Sequence, residues 1–91
     1  MNNNLDIDII DFLNLINETL SYSFIEKWRH KYSEKFITAF QMKILKALSD
    51  RKPIKKEALT NFFIKKLKYS PEQIHNFYES IDISLYHPLI L

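Results

Sequence analysis

The sequence contains no cysteine and no glycine. Without cysteine there are no disulfide bonds, no thiolate zinc sites and no cysteine nucleophile, and the chain fits a reducing compartment. Without glycine the Walker A and dinucleotide-binding loops are excluded, because these loops need glycine to bring the backbone close to phosphates. A chain of 91 residues without covalent cross-links must be stabilised by packing or by association with another molecule.

Valine is also absent, whereas Ile, Lys, Leu, Asn, Phe and Tyr are abundant. This bias is typical of an AT-rich genome, for example that of an organelle, a symbiont, a parasite or a phage. In that background an excess of lysine is weaker evidence for nucleic-acid binding than it would be in a protein of average composition. The lysines must therefore be judged by where they lie in the chain.

Long apolar runs are missing as well. No uninterrupted stretch approaches the ~18 apolar residues that indicate a membrane span. Residues 1–11 contain three Asp but no Lys or Arg, which is the reverse of a targeting signal. With 46% hydrophobic residues the chain has enough apolar material for one core. We therefore expect a single soluble domain over residues 1–91, in the cytoplasm or the interior of an organelle, with no membrane partner.

Helical periodicity predicts an all-α fold, a small bundle of about four helices with one long central helix and a short C-terminal helical turn. The first helix is expected over residues 5–20. Asp6, Asp8 and Asp11 lie near its N-terminus, where carboxylates complement the helix dipole. Ser23 is followed by Glu26 three residues later, and this spacing predicts a capping box at the start of the second helix.

An apolar ladder with a spacing of four residues dominates the middle of the chain. Its members are Trp28, Tyr32, Phe36, Phe40, Ile44 and Leu48. On a single long helix over residues 24–49, this apolar stripe would wind around the helix axis by about 40° per step. The neighbouring helices that pack on the stripe would therefore cross the long helix at an angle. A break near Ser33, giving two shorter helices, is the alternative. The first three aromatic residues have the composition of a stacking platform for single-stranded nucleic acid, but their regular spacing favours core packing.

Proline marks the remaining boundaries. Pro53 ends the central segment, and a third helix is expected over residues 54–68. Its predicted buried face consists of Leu59, Phe62, Phe63 and Leu67. Ser70, Pro71 and Gln73 predict a capping box and a fourth helix, whose buried face would be Ile74, Phe77, Tyr78 and Ile81. The apolar residues 83–91 are expected to pack on the core, with a docking peptide as the alternative.

The charges are segregated along the chain. Residues 1–25 contain four acidic and no basic residues, residues 26–68 contain all 13 Lys and Arg, and residues 69–91 contain only acidic charges. The candidate residues for binding an anion or a partner are Lys27, Lys31, Lys35, Arg51, Lys52, Lys55, Lys56, Lys65 and Lys66. Four of them surround the start of the third helix, where free amides and the helix dipole favour an anion such as phosphate. The alternative is a solvated lysine surface that the acidic ends neutralise.

No residues suggest catalysis or a cofactor. Glu72 and His75 have the spacing found in half of a di-iron carboxylate motif, and Glu79 lies on the same face, but the second Glu-x-x-His pair is absent. His30 and His87 have no partners at ligand-like spacing. We therefore predict a protein that is not an enzyme, that binds no metal or cofactor, and that has no small-molecule substrate.

Two functions are compatible with these features. The first is a protein–protein interaction module (an adaptor, an assembly subunit or an inhibitor) that binds another protein or a second copy through a helix face or the apolar C-terminal tail. The second is a nucleic-acid-binding or regulatory protein that uses the basic segment 27–68. The short connection between the third and fourth helices resembles a helix-turn-helix, but the fourth helix is acidic and phosphates would repel it. Nucleic acid would therefore contact the second helix and residues 51–56.

Overall fold

A computed structural model describes residues 8–91 of the chain. Over these residues the fold is all-α, as predicted, but it has five α-helices where about four were predicted, and no β-strand. The helices are α1 (Ile9–Thr19), α2 (Tyr22–Trp28), α3 (Glu34–Asp50), α4 (Lys56–Leu67) and α5 (Pro71–Ile81). A 3₁₀ turn, Ile83–Tyr86, follows α5 and confirms the predicted C-terminal helical turn. Residues 5–7 of the predicted first helix, including Asp6, lie outside the described residues.

The prediction of one long central helix is wrong. α2 ends at Trp28, and α3 begins at Glu34 with Ser33 as its N-cap. The Ser33 hydroxyl accepts a hydrogen bond from the Phe36 amide (3.1 Å), and the Ser33 amide donates to the Tyr69 hydroxyl (3.0 Å). Because a tertiary partner binds the backbone at this point, the chain turns here although the apolar ladder continues across the break.

The predicted capping box at Ser23 and Glu26 is also wrong. α2 begins two residues earlier than that box requires, with Ser21 as the N-cap. The Ser21 side chain accepts no hydrogen bond from the amides of α2; its hydroxyl instead donates to the Glu18 carbonyl (2.6 Å). Glu26 instead pairs with Arg29 (3.1 Å) on the surface. The capping signal at Ser70 and Gln73 is confirmed, since both reciprocal hydrogen bonds of the box are present.

The core is built around α3 and is rich in aromatic residues. Phe36 is fully buried, and its ring lies 4.4 Å from that of Phe63, 4.3 Å from Tyr69 and 4.8 Å from Phe77. These rings belong to α4, the α4–α5 turn and α5, so one side chain joins three parts of the chain. The predicted ladder is confirmed as core, because Phe36, Phe40 and Ile44 are buried and the other members pack against them.

Residues 83–91 pack on the core as predicted. Tyr86, Leu89 and Ile90 are buried. The segment is also hydrogen-bonded to the α3–α4 connection: the Ile54 amide donates to the Leu89 carbonyl (2.8 Å), and the Leu91 amide donates to the Ile54 carbonyl (2.7 Å). These bonds satisfy backbone groups that would otherwise be free at the start of α4, so the C-terminus closes one end of the bundle.

Candidate functional site

The structure does not bring the nine predicted basic residues together. All nine are exposed. Lys27 lies on α2 and Lys31 in the following turn, so the break before α3 separates residues that a single helix would have aligned. Lys65 and Lys66 are in the last turn of α4, whereas Lys55 is its N-cap. At about 1.5 Å per residue, the two ends of this helix are roughly 16 Å apart.

Two of the nine residues share a groove with two lysines that the sequence reasoning missed. We call it the lysine groove, because Lys43 and Lys46 of α3 line it together with Lys52 and Lys55 of the α3–α4 connection. Its volume is about 290 Å³. The remaining lining residues are Ala47, Asp50, Pro53, Ile54, Ala58 and Leu59. A signal was present, because Lys43, Lys46 and Asp50 recur at helical spacing on one face of α3 that leads into this connection.

The lysine groove is basic around an apolar floor. Asp50 is its acidic residue, and its carboxylate pairs with Lys46 Nζ at 3.1 Å. Lys43 Nζ lies 4.0 Å from the centre of the Phe62 ring, which is within the range of a cation–π contact. The first amide of α4, that of Lys56, donates to the Leu91 carbonyl (2.8 Å). Part of the predicted anion site is therefore already occupied by the chain's own C-terminus.

A second surface lies on α1. We define the α1 face as Ile9, Ile10 and Leu13, whose exposed fractions are 69%, 70% and 52%. Only Ile16 and Thr19 of this helix are buried. The C-terminal half of α1 is therefore anchored in the core, while its N-terminal half presents large apolar side chains to solvent. Ile9 and Leu13 recur at helical spacing with the buried Ile16, but such a pattern shows which residues share a face and not what covers it.

Two acidic residues lie on the side of α1 away from the α1 face. Asp8 directly precedes Ile9, and Asp11 directly follows Ile10. Successive helical residues are about 100° apart, so Asp8 and Asp11, three positions apart, lie close together and on the opposite side of the helix from the apolar stripe. Both line the same cleft as Leu85. Asp8 is the N-cap, and its carboxylate accepts hydrogen bonds from the Ile10 and Asp11 amides.

Helix α1 and the lysine groove are neighbours. A cleft of about 260 Å³ lies between them. It is lined by Phe12 of α1 together with Lys52 and Pro53, which also line the lysine groove. Phe12 also lines a cleft of about 620 Å³ with Leu85 of the 3₁₀ turn. The residues of the α1 face line neither cleft, so that face is on a different side of the helix.

The titratable residues singled out in the sequence do not form a metal site. His75 Nε2 lies 3.4 Å from the Glu79 carboxylate, and both side chains are largely exposed. Within residues 8–91 no group of three or more His, Asp or Glu side chains is arranged to hold a metal ion. Over the same residues no helix has the length and apolar character needed to cross a bilayer.

Comparisons of the chain with protein-family models, with curated proteins and with solved structures find no match. Function therefore has to be argued from the surfaces themselves, because a small helical fold by itself supports many unrelated roles. The two features available for that argument are the apolar α1 face and the lysine groove.

Proposed function

We propose that the chain is a non-enzymatic protein–protein interaction module that docks through the α1 face. The observation that supports this is the exposure of Ile9, Ile10 and Leu13, each more than half exposed, on one side of a single helix. Contiguous apolar patches on soluble domains mark docking sites, because water is in unfavourable contact with them until a partner covers them.

Burial of these side chains would supply part of the affinity. Complete burial of one large aliphatic side chain contributes roughly 1.5–3 kcal/mol, and three of them together are comparable with the cost of association, about 4–15 kcal/mol, so contacts around the stripe must contribute as well. The stripe also has the form used in helix-in-groove recognition, where the apolar face of an amphipathic helix lies in a groove of the partner.

The nucleic-acid alternative has weaker support. The nine basic residues proposed for it are spread over the surface, and Lys52 and Lys55 are the pair that shares the lysine groove. The floor of that groove is apolar, and a phosphate backbone brings no apolar surface to cover it. The acidic helix α5, with Glu72 in its first turn, remains unsuited to phosphate contact.

Site-specific photo-cross-linking in the cells that make the protein tests the proposal. A photoreactive amino acid at position 13 is expected to give discrete cross-linked protein species. The same group at position 18, on the opposite side of α1, is the matched control and should give none. Ile10→Asp in the position-13 variant should abolish the cross-link while the circular dichroism spectrum is unchanged. Equal cross-linking at both positions, or none at either, would contradict a docking role for the α1 face.

A further inference from the structure

We propose that the cleft between α1 and the 3₁₀ turn is a second interaction surface, and that it binds a basic segment of a partner protein in which lysine or arginine stands beside apolar residues. We call it the acidic cleft, defined as the cleft of about 620 Å³ that Asp8, Asp11 and Leu85 line together. The α1 face lies on another side of the helix, so this inference goes beyond the proposed function and does not depend on it.

The fold brings the two acidic ends of the chain together at this cleft. Asp8 and Asp11 belong to residues 1–25, whereas Leu85 and its neighbours Ser84 and His87, which also line the cleft, belong to residues 69–91. Neither of these two parts of the chain contains a Lys or Arg. Over the described residues the lining therefore has two carboxylates and no lysine or arginine, and its electrostatic field favours a cationic group.

Both carboxylates can accept further hydrogen bonds. The Ile10 and Asp11 amides both donate to Asp8 Oδ1 (3.0 and 3.4 Å), so Asp8 Oδ2 can accept from another donor. Among residues 8–91 neither Asp8 nor Asp11 forms an ion pair. The lysine groove differs in this respect, because Lys46 is already paired with Asp50. The charges of the acidic cleft therefore remain available to a partner.

The acidic cleft also has an apolar floor. Leu85 is 53% exposed, and the half-buried side chains of Phe12 and Leu15 line the cleft beside it. A partner with charge alone would leave these side chains in water. Lysine and arginine suit both features, because their aliphatic stems lie on apolar surface while their charged ends reach a carboxylate. An adjacent apolar residue of the partner would cover Leu85.

The openness of the cleft favours a protein segment over a small amine. Sites for small molecules bury roughly 70–90% of the ligand surface. The exposed residues of this lining are Asp8, Asp11, Ser84, Leu85 and His87. A small molecule bound among them would stay largely in water, whereas a protein segment can lie across the mouth and insert some of its side chains. Asp8 and Asp11 are three positions apart on α1, and a partner helix presents basic residues at a similar separation, three or four positions apart.

The contact is expected to be weak and salt-dependent. A stable interface buries about 800 Å² on each partner, and one cleft of this size falls short of that area. The carboxylates of Asp8 and Asp11 are exposed, so added salt should screen their attraction for a basic segment and raise the dissociation constant.

Fluorescence anisotropy with a synthetic peptide tests this inference. The probe is a short, labelled helical peptide with two lysines four positions apart, leucines beside them and alanine elsewhere. Its dissociation constant should rise at least tenfold in the variant Asp8→Asn/Asp11→Asn, because both charges are lost while asparagine still caps α1. Leu85→Ser should also weaken binding, because the apolar floor is reduced. A second probe with glutamate in place of each lysine should not bind.

Matched variants remove the same groups elsewhere on the surface. Glu72→Gln/Glu79→Gln removes two exposed carboxylates from α5, and Leu45→Ser removes an exposed leucine from α3. Both should bind the lysine probe like the wild type, and circular dichroism verifies that every variant is folded.

Three results would overturn the inference. The first is a lysine probe that does not bind the wild type, or that binds Asp8→Asn/Asp11→Asn equally well. The second is an equal loss of binding in the matched α5 variant, since the probe would then respond only to net charge. The third is a loss of binding in Ile10→Asp/Leu13→Asp, which would place the probe on the α1 face.

The remaining outcomes separate this inference from the proposed function. If the probe binds the acidic cleft while no cross-link forms at position 13, the cleft stands and the α1 face does not dock. The reverse result keeps the α1 face and removes the cleft. Glu18, the cross-linking control, is seven positions beyond Asp11, roughly 10 Å along α1, and does not line the acidic cleft. A homodimer in light scattering that Asp8→Asn/Asp11→Asn dissociates would assign the cleft to a second copy and overturn the proposed partner.

Discussion

The N-terminal half of α1 and the middle of α3 have similar apolar sequences but opposite environments. In α3 the side chains of Phe36, Phe40 and Ile44 are completely buried, because α4, α5 and the C-terminal segment surround that helix. In α1 the side chains of Ile9 and Ile10 remain about 70% exposed, because nothing within the described part of the chain covers them. Apolar character alone therefore does not determine burial; the number of surrounding elements does.

The largest expected effect on stability comes from a substitution in the buried part of α3. Phe36→Ala removes a ring that contacts α4 and α5, and it should lower the free energy of unfolding by about 3–5 kcal/mol because the cavity cannot fully collapse. Leu13→Ala, on the exposed half of α1, should change it by less than about 0.5 kcal/mol. Urea denaturation measures both values. Similar losses for the two variants would show that α1 is packed as tightly as α3.

A buried hydroxyl pair anchors the C-terminal end of α1 to Tyr86, whose ring packs on Phe40 of α3, and its removal should have an intermediate effect. The Thr19 hydroxyl donates to the Leu15 carbonyl (2.7 Å) and has a single proton, so it accepts from the Tyr86 hydroxyl at 2.7 Å. Tyr86→Phe leaves Thr19 without this donor and should cost about 0.5–1.5 kcal/mol in urea denaturation. The control Tyr22→Phe alters an exposed hydroxyl and should have no measurable effect. A Tyr86→Phe protein as stable as the wild type would mean that the pair adds nothing to the anchoring of α1.

The same tyrosine provides a pH test. Burial raises the pKa of Tyr86, and also of Tyr78, above the ordinary value of 10.0, because it disfavours the charged phenolate. Below pH 10 both phenols are protonated in the folded and unfolded chains. Above it the unfolded chain loses its protons first, so stability falls as the pH rises from about 10 through the folded pKa. The double variant Tyr78→Phe/Tyr86→Phe should lose less stability than the wild type over that interval.

The smallest expected effect is a gain in stability, and it comes from the C-terminal ends of the helices. α3, α4 and α5 end at residues with positive φ: Arg51 (54°), Lys68 (62°) and Asp82 (52°). A left-handed conformation is unfavourable for a residue with a Cβ atom, so Lys68→Gly should raise the free energy of unfolding by about 0.5–1 kcal/mol. Lys66→Gly, two residues earlier in the right-handed last turn, should lower it by about the same amount. Thermal denaturation of the two variants gives the comparison, and a loss in both would show that position 68 does not have the left-handed conformation.

Much of the fold could be predicted from local signals. The start of α5 was predicted from Ser70, Pro71 and Gln73, because a capping box is complete within four residues. The break after α2 was less accessible, since it depends on hydrogen bonds between Ser33 and Tyr69, which are 36 positions apart. The wrong capping box at Ser23 has a different, local origin, because Ser21 takes the N-cap position of α2 and its hydroxyl bonds to the Glu18 carbonyl at the end of α1.

The candidate surfaces were predicted less well than the helices. Lys52 and Lys55 were selected because they surround a helix start, and they do line the lysine groove. Lys43 and Lys46 were missed because they belong to a different helix and join the groove only through the angle between α3 and α4. Lys31, Lys35 and Lys65 were selected from runs of charge that the fold disperses.

By itself the sequence determined the helical class, the positions of α4 and α5, the aromatic ladder as core, and the segregation of charge. These features depend on spacings of three or four residues, which a helix converts directly into a shared face. Only the tertiary structure decided where the central segment breaks, which lysines share a groove, and which apolar face stays exposed. The physical reason is that each of these depends on a neighbour distant in sequence: Tyr69 for the break, the packing of α3 on α4 for the groove, and the absence of a covering element within residues 8–91 for the α1 face.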